Sequence, residues 1–280
     1  MKTSPNKIQV RARARGFTLA ETAISLVLLA LATGTVVTIL QQQITQHKMA
    51  ETDAILASAR DALLSYETTY GYLPCPATAA TNGQEAVTIA AGLRTCNVES
   101  GFLPAVTLGM PNLDPWGLLE GAWHDGSGST NGTHLRAIRY SLASISGTAY
   151  AQALTRPGLG VLYSPTIRAS VLTSLNANNG LFVCYSSNGI LPTGSRCGPT
   201  ASNTEAGNIA AIIWSLGYDA PYLSQYSSDE KQNEAQTVAR VVVSHVYTPE
   251  SAAGGPFDDQ VVWIPFTSLS DRLVYGGFDQ

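Results

Sequence analysis

Residues 17–40, FTLAETAISLVLLALATGTVVTIL, carry a single charged side chain, Glu21. Such a run is long enough to cross a bilayer as a helix, since about 20 apolar residues span the ~30 Å hydrocarbon core. A carboxylate within it costs on the order of 2.5–3.5 kcal/mol when it stands alone, so Glu21 requires a partner. The segment before it contains Lys2, Lys7, Arg11, Arg13 and Arg15 and ends on Gly16. It takes five of the 16 basic residues and none of the 20 acidic ones, leaving the rest of the chain a net charge of −9. A body so acidic argues against nucleic acid as a partner, because phosphate-backbone binding needs Lys and Arg gathered on one face. The 45% hydrophobic content supports a packed core.

Three readings of the N-terminal segment compete. A secretory signal peptide would have a basic n-region, an apolar h-region and cleavage after the A-x-A pattern Ala30-Leu31-Ala32. It places Glu21 inside the h-region and discards Val36, Val37, Ile39 and Leu40. A plain signal anchor accommodates the length and leaves Glu21 equally unexplained. The third reading takes the order of residues as the signal: a basic leader, then Gly16, Phe17, Thr18, Leu19, Ala20 and Glu21, then an apolar stretch.

That order resembles the class III signal of type IV pilins and type II secretion pseudopilins. The resemblance implies that a prepilin peptidase removes residues 1–16 by cutting after Gly16 and N-methylates Phe17. Glu21 falls where the family places its glutamate, about one helical turn from the new amine. In a filament the amine of one subunit can meet the carboxylate of its neighbour, turning a costly lone charge into a docking register. Ala20 and Thr22 depart from the commoner family residues without touching the cut or the carboxylate.

Beyond Leu40 the chain turns polar, while Ile44, Ile55, Ala59, Ala62, Leu63, Tyr66 and Tyr70 include the three- and four-residue spacings of an amphipathic stripe. No proline interrupts residues 17–70, so one helix of about 80 Å is expected there. Gly34 between Thr33 and Thr35 is its weak point, read equally well as a site of local melting or close helix contact and as an ordinary glycine of a membrane helix. Gly71 and the run Leu73-Pro74-Cys75-Pro76 end it. Short β-type runs follow at 137–142, 160–162, 181–185, 209–215, 238–247 and 260–266, separated by long loops such as 121–133 and 188–208. A short helix is expected around 227–239.

The fold expected is therefore α+β, a long N-terminal hydrophobic-then-amphipathic helix packed on an antiparallel β-sheet head with long loops. Its divisions are a removable leader at 1–16, a helix at 17–70 with 17–40 in membrane or filament core and 41–70 amphipathic, and a β-rich periplasmic or extracellular head at 71–280. The segments YGYLPCP (70–76), GFLPAVTLGMPNLDPWG (101–117) and FDDQVVWIP (257–265) are similar to stretches of large minor-pilin-like proteins. Asp114-Pro115-Trp116-Gly117 resembles the DPWG turn of major pseudopilins, in which Asp opens the turn, Pro sets φ, Trp anchors it and Gly completes the return.

Cys75 with Cys96 and Cys184 with Cys197 are expected as two local disulfides, although four cysteines permit three pairings. An exported chain meets an oxidising compartment, and zinc would want tighter Cys-x-x-Cys pairs or nearby histidines. His47, His124, His134 and His245 are scattered, and no nucleophile elbow, Walker loop or H-E-x-x-H occurs. Asp258 and Asp259, after the Gly-rich 252–257, are oxygen ligands suited to calcium, but two carboxylates are too few to define a site and a turn or helix-dipole role needs no further assumption; calcium in the heads of major pseudopilins is what the resemblance adds. No other cofactor is expected.

The function expected is structural rather than enzymatic: a minor pilin or pseudopilin of a bacterial type IV pilus or type II secretion filament. Its partners would be the prepilin peptidase, other pilin subunits, the inner-membrane assembly platform and the lipid bilayer. It would sit single-pass in the inner membrane with a periplasmic head, then enter the filament. A membrane-anchored periplasmic binding or enzymatic domain and a competence minor pilin are the alternatives.

Overall fold

In the computed structural model, α1 (Leu19–Tyr70) is the longest element. The structure describes residues 18–90, 92–111, 115–116, 138–143, 154–155, 169, 171–173, 175, 180–190, 196–198, 203–218, 227–234, 240–249 and 252–269. Two compact units divide at Met1–His47 and Lys48–Gln280, and α1 contributes residues to each.

In the first unit the described apolar side chains are exposed: Leu19, Ile24, Leu26, Leu29 and Leu31 all keep about 60% or more of their surface. The hydroxyls of Thr22 and Thr33 turn back onto the carbonyls of Leu19 and of Leu29 and Ala30, so these residues add no free polar group to the helix surface. In the second unit α1 buries Leu56, Ala59, Leu63 and Leu64 in the core. The stripe thus runs through Leu56 beside the expected Ile55, while Ile44 and Tyr70 are exposed.

The head begins with a small hairpin, β1 (Val87–Ala90) and β2 (Leu93–Cys96), paired from Val87↔Cys96 to Ala90↔Leu93. Next come β3 (Ser100–Phe102), the short α2 (Ala105–Leu108), β4 (Arg139–Leu142), β5 (Leu181–Cys184) and β6 (Thr204–Ser215). Then follow α3 (Ser228–Glu234), β7 (Val241–Val243) and β8 (Gln260–Pro265). The main sheet runs β3-β4-β6-β5-β7, with β8 also on β6. Ile209 pairs with both Leu181 and Pro265, and Ile212 with both Ser141 and Trp263. It follows that β8 occupies one edge of β6 while β4 and β5 share the other. Burial along β6 alternates at first and is complete from Ile209 to Ser215, so its C-terminal half is covered on both faces.

Two parts of the expected fold are corrected. The sheet is mixed, since β5 and β7 are parallel. Strand β7 therefore runs antiparallel to β6 and lies on the edge of β5 away from β6. The alternation of apolar residues within a strand carries no such information. Secondly, among the described residues no helix is long and apolar enough to cross a membrane. The continuous described apolar stretch, 19–31, is broken by Glu21, Thr22 and Ser25 and measures about 20 Å, against the ~30 Å needed. The element observed is a 52-residue helix of mixed polarity, not a long apolar one.

Other differences are local. The hairpin at 87–96 and the strand at 100–102 were not expected; among the described residues of 238–247 strand structure is limited to β7, and α3 covers Ser228–Glu234 of the helix expected around 227–239. The expected strand at 160–162, the loop 121–133, His124, His134, Asp114 and Gly117 lie outside the described residues.

Candidate functional site

Gly16 and Phe17 lie outside the described residues. Glu21 occupies the first turn of α1 and is exposed. Its Oε2 accepts from the Thr18 amide at 2.9 Å and the Thr18 hydroxyl at 3.0 Å, while its own amide donates to Thr18 Oγ1 at 3.3 Å. This reciprocal arrangement is a capping box, and it satisfies amides that a helix start would otherwise leave open. Glu21 therefore has a partner within its own chain.

At the C-terminal end of α1 a polar and aromatic junction ties helix to head. Tyr66, Tyr70 and Tyr72 form a triangle with ring centroids 4.3, 5.7 and 6.1 Å apart. The Arg94 guanidinium lies 4.7 Å over Tyr72, pairs with Glu85, and donates through Nε to Thr155 O at 3.0 Å. Glu85 also accepts from the Cys75 amide at 3.1 Å, and Cys75 is joined to Cys96. Burial, reinforced by the Tyr72 hydroxyl, pushes the Tyr66 phenol well above its usual range; burial does the same to Tyr140, whose hydroxyl donates to Pro74 O. Tyr140 thus serves as a neutral donor in this junction.

The second disulfide, Cys184–Cys197, closes a loop held from inside by Asn203. Asn203 Nδ2 reaches the carbonyls of Ser186, Asn188 and Cys197 at 2.8–3.2 Å, and Oδ1 accepts from the Ser186 amide.

Asp258 and Asp259 are buried, and their side chains bond to different elements. Asp258 Oδ2 accepts from the Tyr218 amide at 2.7 Å, and Asp259 Oδ2 accepts from Asn233 Nδ2 at 2.7 Å. The Asp258 amide donates to Glu230, whose other oxygen accepts from Ser227 in the capping box of α3. Burial, and then the charge of Asp258, raise the Glu230 carboxyl above its ordinary value. Among the described residues no group of three or more His, Cys, Asp or Glu side chains is placed to hold a metal ion. Asp258 and Asp259 fasten the 217–218 turn and α3 to the start of β8.

Asn233 is the hub of that region, and the sequence offered no sign of it. Fully buried on α3, it donates to Val243 O at 2.8 Å and accepts from Val243 N at 2.7 Å, while Gln232 donates to Val241 O at 3.1 Å. These amides occupy the free edge of β7 as a further strand would. The Asn233 carbonyl also accepts from Trp214 Nε1.

What the described side chains build is thus structural: a capped and exposed helix start, a cross-linked junction and a pinned sheet edge. Comparison of the chain with protein-family models, with curated proteins and with solved structures returns no match.

Proposed function

We propose that this chain is a structural subunit, a minor pilin or pseudopilin, of a bacterial type IV pilus or type II secretion filament. It is cut after Gly16 by a prepilin peptidase, N-methylated at Phe17, and assembled through its N-terminal segment. The observation that carries this reading is the order at 11–21: alternating arginines, Gly16-Phe17, and Glu21 as the one charge in the next 24 residues. Support comes from the described apolar side chains at 19–31, whose exposure in the single chain requires a cover of lipid or of neighbouring subunits. Two disulfides suit a head outside the cytoplasm. On this reading the exposed apolar side chains at 19–31 are covered at the assembly platform and then by neighbouring subunits, and the head faces the periplasm.

Glu21 then has two duties, to cap its own helix and to pair with a neighbour's amine, and one substitution separates them. Gln can replace Glu in a capping box but carries no charge. Glu21→Gln, compared with Glu21→Ala and the wild type in cells with a prepilin peptidase, should be cleaved normally in both variants and enter filaments poorly in both. Incorporation of Glu21→Gln at the wild-type level would show that capping suffices and remove the pairing role.

A further inference from the structure

The imidazole of His245 lies stacked on Phe257, the ring centroids 3.7 Å apart. Its Nε2 is 3.2 Å from Asp229 Oδ2 on α3, and its Nδ1 is 2.9 Å from Val246 O. A neutral imidazole has one N–H and one lone pair, so against two oxygen acceptors it leaves a lone pair facing an oxygen. The imidazolium satisfies both. Asp229 in turn accepts through Oδ1 from the Ser187 amide at 2.6 Å and from the Ser186 hydroxyl at 3.2 Å. One carboxylate thereby joins α3, the Cys184–Cys197 loop and the segment 244–249. Beneath the imidazole Phe257 is 1% exposed, while Val246 and Tyr247 beside it are 81% and 48% exposed.

We propose that His245 is a proton-gated latch on the head. With its proton, the ring closes over Phe257 and holds Asp229, which holds Ser186 and Ser187. Without it, one hydrogen bond and the attraction to Asp229 are lost, the ring lifts, and Phe257 joins Val246 and Tyr247 in an enlarged apolar surface. The other charged groups around the latch are engaged elsewhere. On α3, Glu230 faces the amides of Ser227 and Asp258. Below the ring, Asp258 holds Tyr218 and Asp259 holds Asn233. On β6, Glu205 bonds the Ser244 side chain. Among the described residues Asp229 is the carboxylate within ion-pair distance of the ring. The latch contributes while the imidazole is charged and is lost when the ring gives up its proton.

Hydrogen exchange on the full chain with its disulfides intact, at about pH 5.5 and about pH 8 and corrected for intrinsic rates, tests the latch. Protection of the Ser187 amide and of segment 244–249 should fall at least about tenfold on going to the higher pH, while the β6 core amides stay constant. His245→Gln and the isosteric Asp229→Asn should each abolish that dependence. Equal protection at both pH values in the wild type, or the same dependence persisting in either folded variant, would overturn the proposal.

Discussion

Truncating Asn233 should cost this head more than the loss of any exposed polar side chain. Its amide is fully buried and makes three bonds: to Val243 O, from Val243 N and to Asp259 Oδ2, at 2.7–2.8 Å. In Asn233→Ala all three partners lose their group at once. A buried donor or acceptor left unsatisfied costs about 1–3 kcal/mol, more when charged, and water entering the vacated space returns part of that. The expected loss is about 3–5 kcal/mol, a large share of the 5–15 kcal/mol typical of a domain. Asn233→Asp keeps the acceptor for Val243 N but places a carboxylate against Asp259, so it should be the worse variant at neutral pH and recover partly as pH falls. Urea unfolding of oxidised protein, with two-state behaviour checked by two probes, gives both values. A loss below about 1 kcal/mol for Asn233→Ala would refute the reasoning that these amides close the edge of β7.

Two further outcomes follow from the same corner of the head. Gly217 has φ +68°, and a Cβ there would overlap the Asp258 carboxyl that holds the Tyr218 amide; Gly217→Ala should destabilise by about 2–4 kcal/mol in the same assay. The Glu230 carboxyl titrates above its ordinary value of 4.5 in the folded state. The unfolded chain therefore ionises first, and stability is lost as pH rises from the ordinary value through the raised one. Glu230→Gln removes a bond to a backbone amide and lowers stability overall, but its deficit relative to wild type should narrow over that interval. A difference independent of pH would contradict the sign assigned to this group.

What could be read in advance was whatever depends on neighbours along the chain. The proline-free helical region and the Gly71 stop are local patterns of this kind; the two capping boxes, at Thr18 with Glu21 and Ser227 with Glu230, came only from the structure. The structure joins the cysteines in the two short-range pairs. The hairpin at 87–96 escaped because Arg94, paired with Glu85 and stacked on Tyr72, sits where an alternating strand would carry an apolar residue. The direction of β7 escaped because it depends on which strand β7 joins, β5 rather than β6, and not on any residue within Val241–Val243. In the sequence Asp258 and Asp259 read as turn or calcium candidates, and Asp229 and Asn233 as members of a short helix. Only the meeting of α3 with β6, β7 and β8 makes Asp258, Asp259 and Asn233 buried connectors. Distant pairing, not residue type, decided those roles.

The account turns on where the mature chain begins. Intact-mass and N-terminal fragment measurements on the protein purified from cells with and without a prepilin peptidase address this directly. The expected result is loss of residues 1–16 with an N-methylated Phe17, seen only when the peptidase is present. A terminus following Ala32, or an uncleaved chain in the presence of the peptidase, would contradict the assignment.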